Sequence, residues 1–351
     1  MTQSQKQGTP QDVGEARREK RENFLKSLGW KNISMQLMPA DASFRRYYRL
    51  PGAPKPMLLM EDPPDRPKVP PFVMVEPFIL IADHLRSLGL RTPEIYFRDI
   101  PNGLLVIEDF GDDTYTRLFG KGADLKPLYE MATDVLAHLH RHPERKHIKL
   151  PDQDAARLAA EAMLLLDWYV PALTGGQPSD EMKESFAEVW KSLVAKFPKD
   201  QKTLVLRDYH VDNLMVVPGA KGILSCGLLD FQDALTGQFS YDMMSLLEDA
   251  RRDVPEDLRK HLYDRYIAGM GAELDRAGFD YSFRVLSLQR HARVLGIFMR
   301  LSVRDGKDKY LQFIPHVRRM FMESLADPAM KPMKEWFESR KIDIGRPLKN
   351  G

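Results

Sequence analysis

Residues 203–231 break a helical pattern with short apolar runs. LVLRDYHVDNLMVV and GILSCGLLDF alternate strand-like stretches with polar loops. Each run is shorter than a helix needs and is rich in Val, Ile and Leu, so the segment reads as strands joined by turns. On either side, residues 127–140, 155–170, 179–197, 241–250, 258–268, 283–303 and 309–326 carry apolar stripes at helical spacing. The larger C-terminal part is therefore expected to be helical, with a β-hairpin set into it.

The N-terminal part reads differently. A helix is expected over 14–28, ending at Gly29, followed by strands at 33–38, 44–50 and 56–60 separated by proline-bearing loops. Residues 72–88 place Val75, Phe78, Ile79, Ala82 and Leu85 at helical spacing. Strands at 93–99 and 103–109 follow, joined by a turn at 101–103. The fold class predicted is α+β: a disordered tail at 1–12, a small antiparallel-sheet part at 13–110 and a larger, mostly helical part at 111–351. No internal repeat is visible.

Composition narrows the function classes. The chain has 351 residues, 52 Lys and Arg against 50 Asp and Glu, and a net charge of +2, which argues against a general nucleic-acid binder. Its one cysteine, Cys226, has no internal disulfide partner and suits a reducing compartment. No run approaches the roughly 20 apolar residues of a membrane helix. The first residues lack the apolar core of a secretory signal. The expectation is a cytoplasmic monomer acting on a small molecule. The basic run at 17–21 reads as the solvated first turn of a helix. His138, His140 and His142 lack the acidic or cysteine partners of a zinc site and read as structural. The 18 methionines read as core filler.

The chemistry concentrates in RDYHVDN, which puts Asp208 five positions before Asn213, and in LLDF, which puts Asp230 at a strand end. One carboxylate can orient an attacking hydroxyl and take its proton, while an amide oxygen and a second carboxylate can hold Mg²⁺ against ATP phosphates. The competing account is an Asx turn at Asp208 and a cap at Asp230.

VLRDYHVDNLMV followed by GLLDFQDALTGQFSYD resembles the aminoglycoside phosphotransferase/choline kinase family, whose active site commonly reads H-G-D-L-H-P-x-N, then I-D-[WF]-x-x-A and a further Y-D. The resemblance implies a two-lobed, protein-kinase-like fold that uses ATP and Mg²⁺. It makes Asp208 the catalytic aspartate, His210 the histidine of the loop, Asn213 and Asp230 the magnesium ligands, and Asp242 a brace of the loop. Leu206 stands where the family often has histidine. ADASFRRYYRL, LLVIEDFGDDTY, SLLEDARRDV and LQRHARVLGIFMRLSVRDGKDKYL are together similar to one branch of that family. This branch includes the cell-wall-recycling kinases of the anomeric hydroxyl of N-acetylmuramate and N-acetylglucosamine.

Further roles are implied by that resemblance. Residues 41–49 sit where a kinase carries its phosphate-covering loop, so Ser43, Phe44, Arg45, Arg46 and Arg49 are candidates for ATP. The third strand, PMLLM, carries no lysine, and Lys55 lies too early; Arg49 or Arg46 is the expected substitute, with Glu76 an acidic partner for an arginine. Glu108 and Phe110 fall at the hinge that binds adenine through its backbone. His210, Asp233, Glu248, Asp249, Arg251 and Arg290 are candidates for the acceptor sugar, with carboxylates for hydroxyls and an arginine for a lactyl carboxylate. Arg252, His291, Arg300 and Arg304 are secondary candidates. The rival readings are a kinase of another acceptor (an aminoglycoside, choline or a different amino sugar), a protein kinase, and a catalytically silent nucleotide-binding module. A protein kinase is disfavoured because Asp242 follows Asp230 too closely for an activation segment.

Overall fold

A computed structural model of the chain describes residues 10–39, 45–63 and 75–348. It divides into two compact units, residues 1–113 with 215–233, and residues 114–214 with 234–351.

In the first unit, helix α1 (Pro10–Ser27) precedes strands β1 (Gln36–Leu37), β2 (Arg46–Arg49) and β3 (Met57–Glu61). Helix α2 (Val75–Ser87), β4 (Ile95–Asp99) and β5 (Leu104–Glu108) follow. The sheet is antiparallel in the order β1-β2-β3-β5-β4. β3 and β5 lie inside it and are almost wholly buried, which is why MLLM and LLVI run apolar without alternation. Gly103 turns β4 into β5 from a left-handed conformation that glycine adopts without strain.

Two expectations are corrected here. Arg17 and Arg21 are not a solvated face: both are buried and both bind Glu61 of β3 at 2.7 Å. Their i, i+4 spacing puts them on one side of α1, and a carboxylate with two oxygens accepts one guanidinium on each. Glu76 pairs with no arginine among the described residues either; it lies exposed at the start of α2.

In chain order the second unit supplies α3 (Tyr115–Gly120), α4 (Leu125–Arg141), α5 (Ala155–Leu164), α6 (Val170–Thr174), α7 (Asp180–Val194) and β6 (Lys202–Val205). Thr114, Asp124, Asp154 and Ser179 cap four of these helices by accepting a backbone N–H of the first turn. Between α5 and α6 the ladder widens to a π turn over Leu165–Tyr169, just before Pro171, which has no N–H to give. The chain then forms the hairpin β7 (Leu214–Val216) and β8 (Cys226–Leu228). It returns as β9 (Leu235–Gln238), α8 (Ser240–Leu247), α9 (Glu256–Met270), α10 (Arg276–Val303), α11 (Ile314–Leu325) and α12 (Lys331–Ser339).

The segment read from sequence as one hairpin is two pairings. β6 pairs with β9, not with β7, and the loop between β6 and β7 is thereby left free of the sheet. β9, α3 and α12 carry too few periodic residues to stand out in the sequence. α10 is the axis of the second core, packed by Leu165, Trp190, Phe321 and Trp336 among others. At Gly296 a Cβ would come within 2.3 Å of the Leu164 backbone, so α5 and α10 approach closely only because that residue is glycine. No helix among the described residues is long and apolar enough to cross a membrane.

Candidate active site

The loop after β6 is built from its backbone outward. Asp242, fully buried on α8, accepts the N–H of Leu206 at 2.6 Å and that of Arg207 at 2.9 Å. Arg207 sits at φ 71°, a left-handed conformation that costs a non-glycine residue about 1 kcal/mol or more and needs such an anchor. Tyr209 donates to the Ala132 carbonyl of α4 at 2.8 Å, and Asn213 Nδ2 donates to the Asp208 carbonyl at 2.8 Å. With its amide nitrogen so engaged, the oxygen of Asn213 is its remaining acceptor. Burial holds His210 below the ordinary imidazole value, so the ring is neutral, and its Nε2 lies 3.4 Å from Asn213 Nδ2.

Asp208 projects from this loop with a third of its side chain exposed. Burial pushes its carboxyl up, but the Arg293, Arg290 and Arg207 guanidinium groups outweigh that and hold it at about 2. Arg290 Nη1 lies 3.9 Å from the carboxylate and donates to the Arg207 carbonyl at 3.2 Å. Glu161 on α5 balances this cationic layer: it binds Arg207 at 2.7 Å and lies 3.9 Å from Arg293, which itself donates to Tyr241 Oη at 3.4 Å. Asp242 is pushed up to about 7 by burial, against the pull of its two backbone donors.

The other candidates of the second unit are spread along the chain after α8. Glu248 is bound by the Ser287 hydroxyl at 2.5 Å and faces His291 at 3.3 Å; burial pushes it up to about 7. Asp249 is buried and accepts the Arg251 N–H at 2.8 Å. Arg251 is exposed and lies 3.9 Å from Asp212, which also accepts from the Thr116 hydroxyl. Arg252 covers the Phe119 ring at 4.9 Å, and Arg304 at the end of α10 is paired with Asp305 at 2.7 Å. His140 is buried against Tyr266 and Phe239.

The first unit holds its own cluster. Asp230 follows the hairpin at φ 57° with half its side chain exposed, and Gln232 Nε2 donates to it at 2.8 Å. Phe231 stacks on Phe78 of α2 at 4.9 Å, which fixes the strand end from which Asp230 projects. Arg45 reaches the same carboxylate at 3.8 Å while its Nε donates to Asp62, itself buried, at 3.1 Å. Asp233 is half-buried beside Gln232 at 3.4 Å. Arg46 is exposed, whereas Arg49 is bound to Asp109 at 2.7 Å and to Asp112 at 3.2 Å. Glu108 is paired with Arg91, whose guanidinium also covers the buried Phe110 ring at 5.1 Å. Lys55 lies over the Tyr96 ring at 3.5 Å. Ser43 and Phe44 fall outside the described residues.

Asp208, His210, Asn213, Asp242 and Arg290 thus gather around one loop, and Arg45, Asp230 and Asp233 around one strand end. Sequence reasoning missed Asp62, Glu161 and Arg293. Arg293 follows Arg290 at i, i+3, so the helical period carried a signal; Glu161 was legible only as a lone carboxylate in AARLAAEAML. Nothing in the sequence marked Asp62.

A model of a family described as "Phosphotransferase enzyme family" matches residues 34–279. The chain is 32% identical to the N-acetylmuramate/N-acetylglucosamine kinase of Caulobacter vibrioides over 343 residues, 90% of this chain and 94% of that one. It is 32% identical to the protein of the same name from Pseudomonas aeruginosa, over 85% of this chain and 86% of that one. It is 31% identical to the one from Neisseria meningitidis, over 81% and 84%. Among solved structures, a microcompartment-associated aminopropanol kinase is similar with a TM-score of 0.59 at 15% identity, over 96% of this chain and 100% of that one. The ADP-bound aminoglycoside phosphotransferase APH(2'')-Ib gives 0.55 at 14% identity, over 86% and 96%.

Proposed function

The chain belongs to the phosphotransferase enzyme family, and from that premise we propose that it transfers the γ-phosphoryl group of ATP to the anomeric hydroxyl of N-acetylmuramate or N-acetylglucosamine. The observation that carries the reading is Asp208, a partly exposed carboxylate on a loop tied down by Asp242. A carboxyl held at about 2 is a weak base at neutral pH. That suits a loose phosphoryl-transfer transition state, in which the acceptor is oriented first and gives up its proton late. The hydroxyl oxygen forms the new bond to the γ-phosphorus, the bond to the β-phosphate oxygen breaks, ADP leaves, and Asp208 accepts the proton. No covalent enzyme intermediate is needed.

The remaining roles follow from chemistry. Asn213 offers an amide oxygen and Asp230 an exposed carboxylate, both hard donors of the type Mg²⁺ takes. These two residues are the ones assigned to Mg²⁺, which would supply charge neutralisation at the phosphates. Arg45, Arg46 and Arg49 stand for the phosphates, with Ser43 and Phe44 in the same segment, and Glu108 and Phe110 for adenine. A neutral His210 can donate to or accept from a sugar hydroxyl, and Asp233, Glu248, Asp249, Arg251 and Arg290 are assigned to the acceptor side. The two units act as the lobes of a monomeric cytoplasmic kinase.

The test is an ATP-consumption screen with Mg²⁺ against N-acetylmuramate, N-acetylglucosamine, other amino sugars, choline and kanamycin. Saturable turnover on the N-acetyl sugars, with a product lacking a reducing end, is expected. Turnover confined to choline or kanamycin would overturn the acceptor, and no turnover with wild-type protein that binds ATP would overturn the reaction.

A further inference from the structure

Strand β3, where a kinase carries its phosphate-binding lysine, ends here in the carboxylate Glu61, with Asp62 the residue after it. Neither can meet a phosphate; each instead holds arginine. Glu61 is consumed by Arg17 and Arg21 of α1. Asp62 holds Arg45, the residue just before β2. The backbone N–H of Asp62 donates to the Gly103 carbonyl at 2.8 Å, so the carboxylate is fixed to the interior of the sheet. Arg45 is only 11% exposed, and its Nη1 lies 3.8 Å from the exposed carboxylate of Asp230.

Resting on the kinase reading above, the geometry points to Arg45 as the cation that does the work of the absent strand lysine on the nucleotide phosphates, with Asp62 as its positioning residue. The two other arginines of this stretch are placed differently. Arg46 faces solvent, and Arg49 is committed to Asp109 and Asp112. Arg45 alone combines a buried anchor on one side with the proposed metal-holding carboxylate on the other. A guanidinium suits that post. It stays charged when buried, and its planar fork can give Nε to Asp62 while other N–H groups reach phosphate oxygens. An ammonium from β3 would be a point charge on a flexible stem. Asp62 offsets the cost of burying the guanidinium and sets its direction.

The experiment is calorimetric titration of wild type, Arg45→Met, Arg45→Lys and Asp62→Asn with ATP and with adenosine, each with Mg²⁺. Wild type should bind ATP more tightly than adenosine. Arg45→Met should lose about 10–100-fold in ATP affinity, the value of a charge-assisted pair, and under about twofold in adenosine affinity. Arg45→Lys should keep part of the difference. Asp62→Asn should weaken ATP several-fold, and the double variant should be no weaker than Arg45→Met, because the two residues act as a unit. Unchanged adenosine binding verifies that each variant is folded. An unaltered ATP-to-adenosine ratio in Arg45→Met would overturn the inference, as would loss of that ratio in Arg46→Met or Arg49→Met instead. A wild type that binds ATP no better than adenosine would overturn the kinase reading itself.

Discussion

Replacing Asp242 with alanine should uncouple the loop from the helix that carries its brace. The carboxylate accepts two backbone N–H groups, from Leu206 at 2.6 Å and Arg207 at 2.9 Å. Both bonds involve an ionisable acceptor, and the Leu206 amide is buried. Leaving a buried donor unpaired costs about 1–3 kcal/mol, more toward the upper end for the deeper group. Two such losses sum to about 4 kcal/mol. Relaxation of Arg207 out of its left-handed conformation returns about 1 kcal/mol of that, for a net cost of about 3 kcal/mol. At roughly 2–4 °C per kcal/mol for a unit of this size, Tm should fall by about 6–12 °C. Activity should fall further than stability, because the same relaxation moves Asp208, and a displacement of about 1 Å can cost about 100-fold in rate. Thermal unfolding followed by circular dichroism and ATP turnover on N-acetylglucosamine, measured at a temperature where both proteins are folded, separate the two effects. A variant within about 1 kcal/mol and twofold of wild type would refute the brace.

Three further outcomes are expected. Glu248→Gln tests pH dependence: the folded pKa of Glu248, about 7, lies above the ordinary 4.5, so its contribution is present below 4.5 and is lost as pH rises through 7. The variant does not titrate and should gain about 2 kcal/mol on wild type between pH 5 and 8 in urea unfolding. Asp242 shifts the same way but is common to both proteins, and Asp208, held at about 2, acts only in acid; parallel pH curves would exclude the burial argument. Gly296→Ala should cost about 3 kcal/mol, since the new Cβ meets Leu164 backbone, which cannot swing aside as a side chain would; a loss under about 1 kcal/mol would show that α5 and α10 yield easily. Arg293→Met removes the cation that most offsets the burial of Asp208 and should raise the acid limb of the pH–rate profile by about one unit or more, with Arg293→Lys restoring much of it; an unmoved limb would assign Asp208 to Arg290 and Arg207 alone.

Glu161 shows why part of the site was hidden. In sequence it is one charge in an alanine-rich helix, and only the crossing of α5 and α10 sets it between Arg207 and Arg293. Arg17 and Arg21 show the opposite error. Their run looked solvated because helical charges usually are, yet one buried carboxylate on a strand 40 residues on from Arg21 draws both inward. By contrast, Asp208, Asn213 and Asp230 stood out as candidates from their spacing and flanking apolar runs, which are local properties of the chain, and Asp242 from the family resemblance.

The sequence by itself determined the α+β layout, most of the helices, and which oxygen-bearing side chains sit on loops beside strand ends. Those follow from periodicity, turn chemistry and residue type, which act over a few positions. Tertiary structure alone decided that β6 pairs with β9, that Asp242 holds the amides of Leu206 and Arg207, and that Asp62 selects Arg45 from three neighbouring arginines. Burial and ion pairing are properties of where distant segments meet, and a carboxylate acquires its partner only when the fold brings one to it.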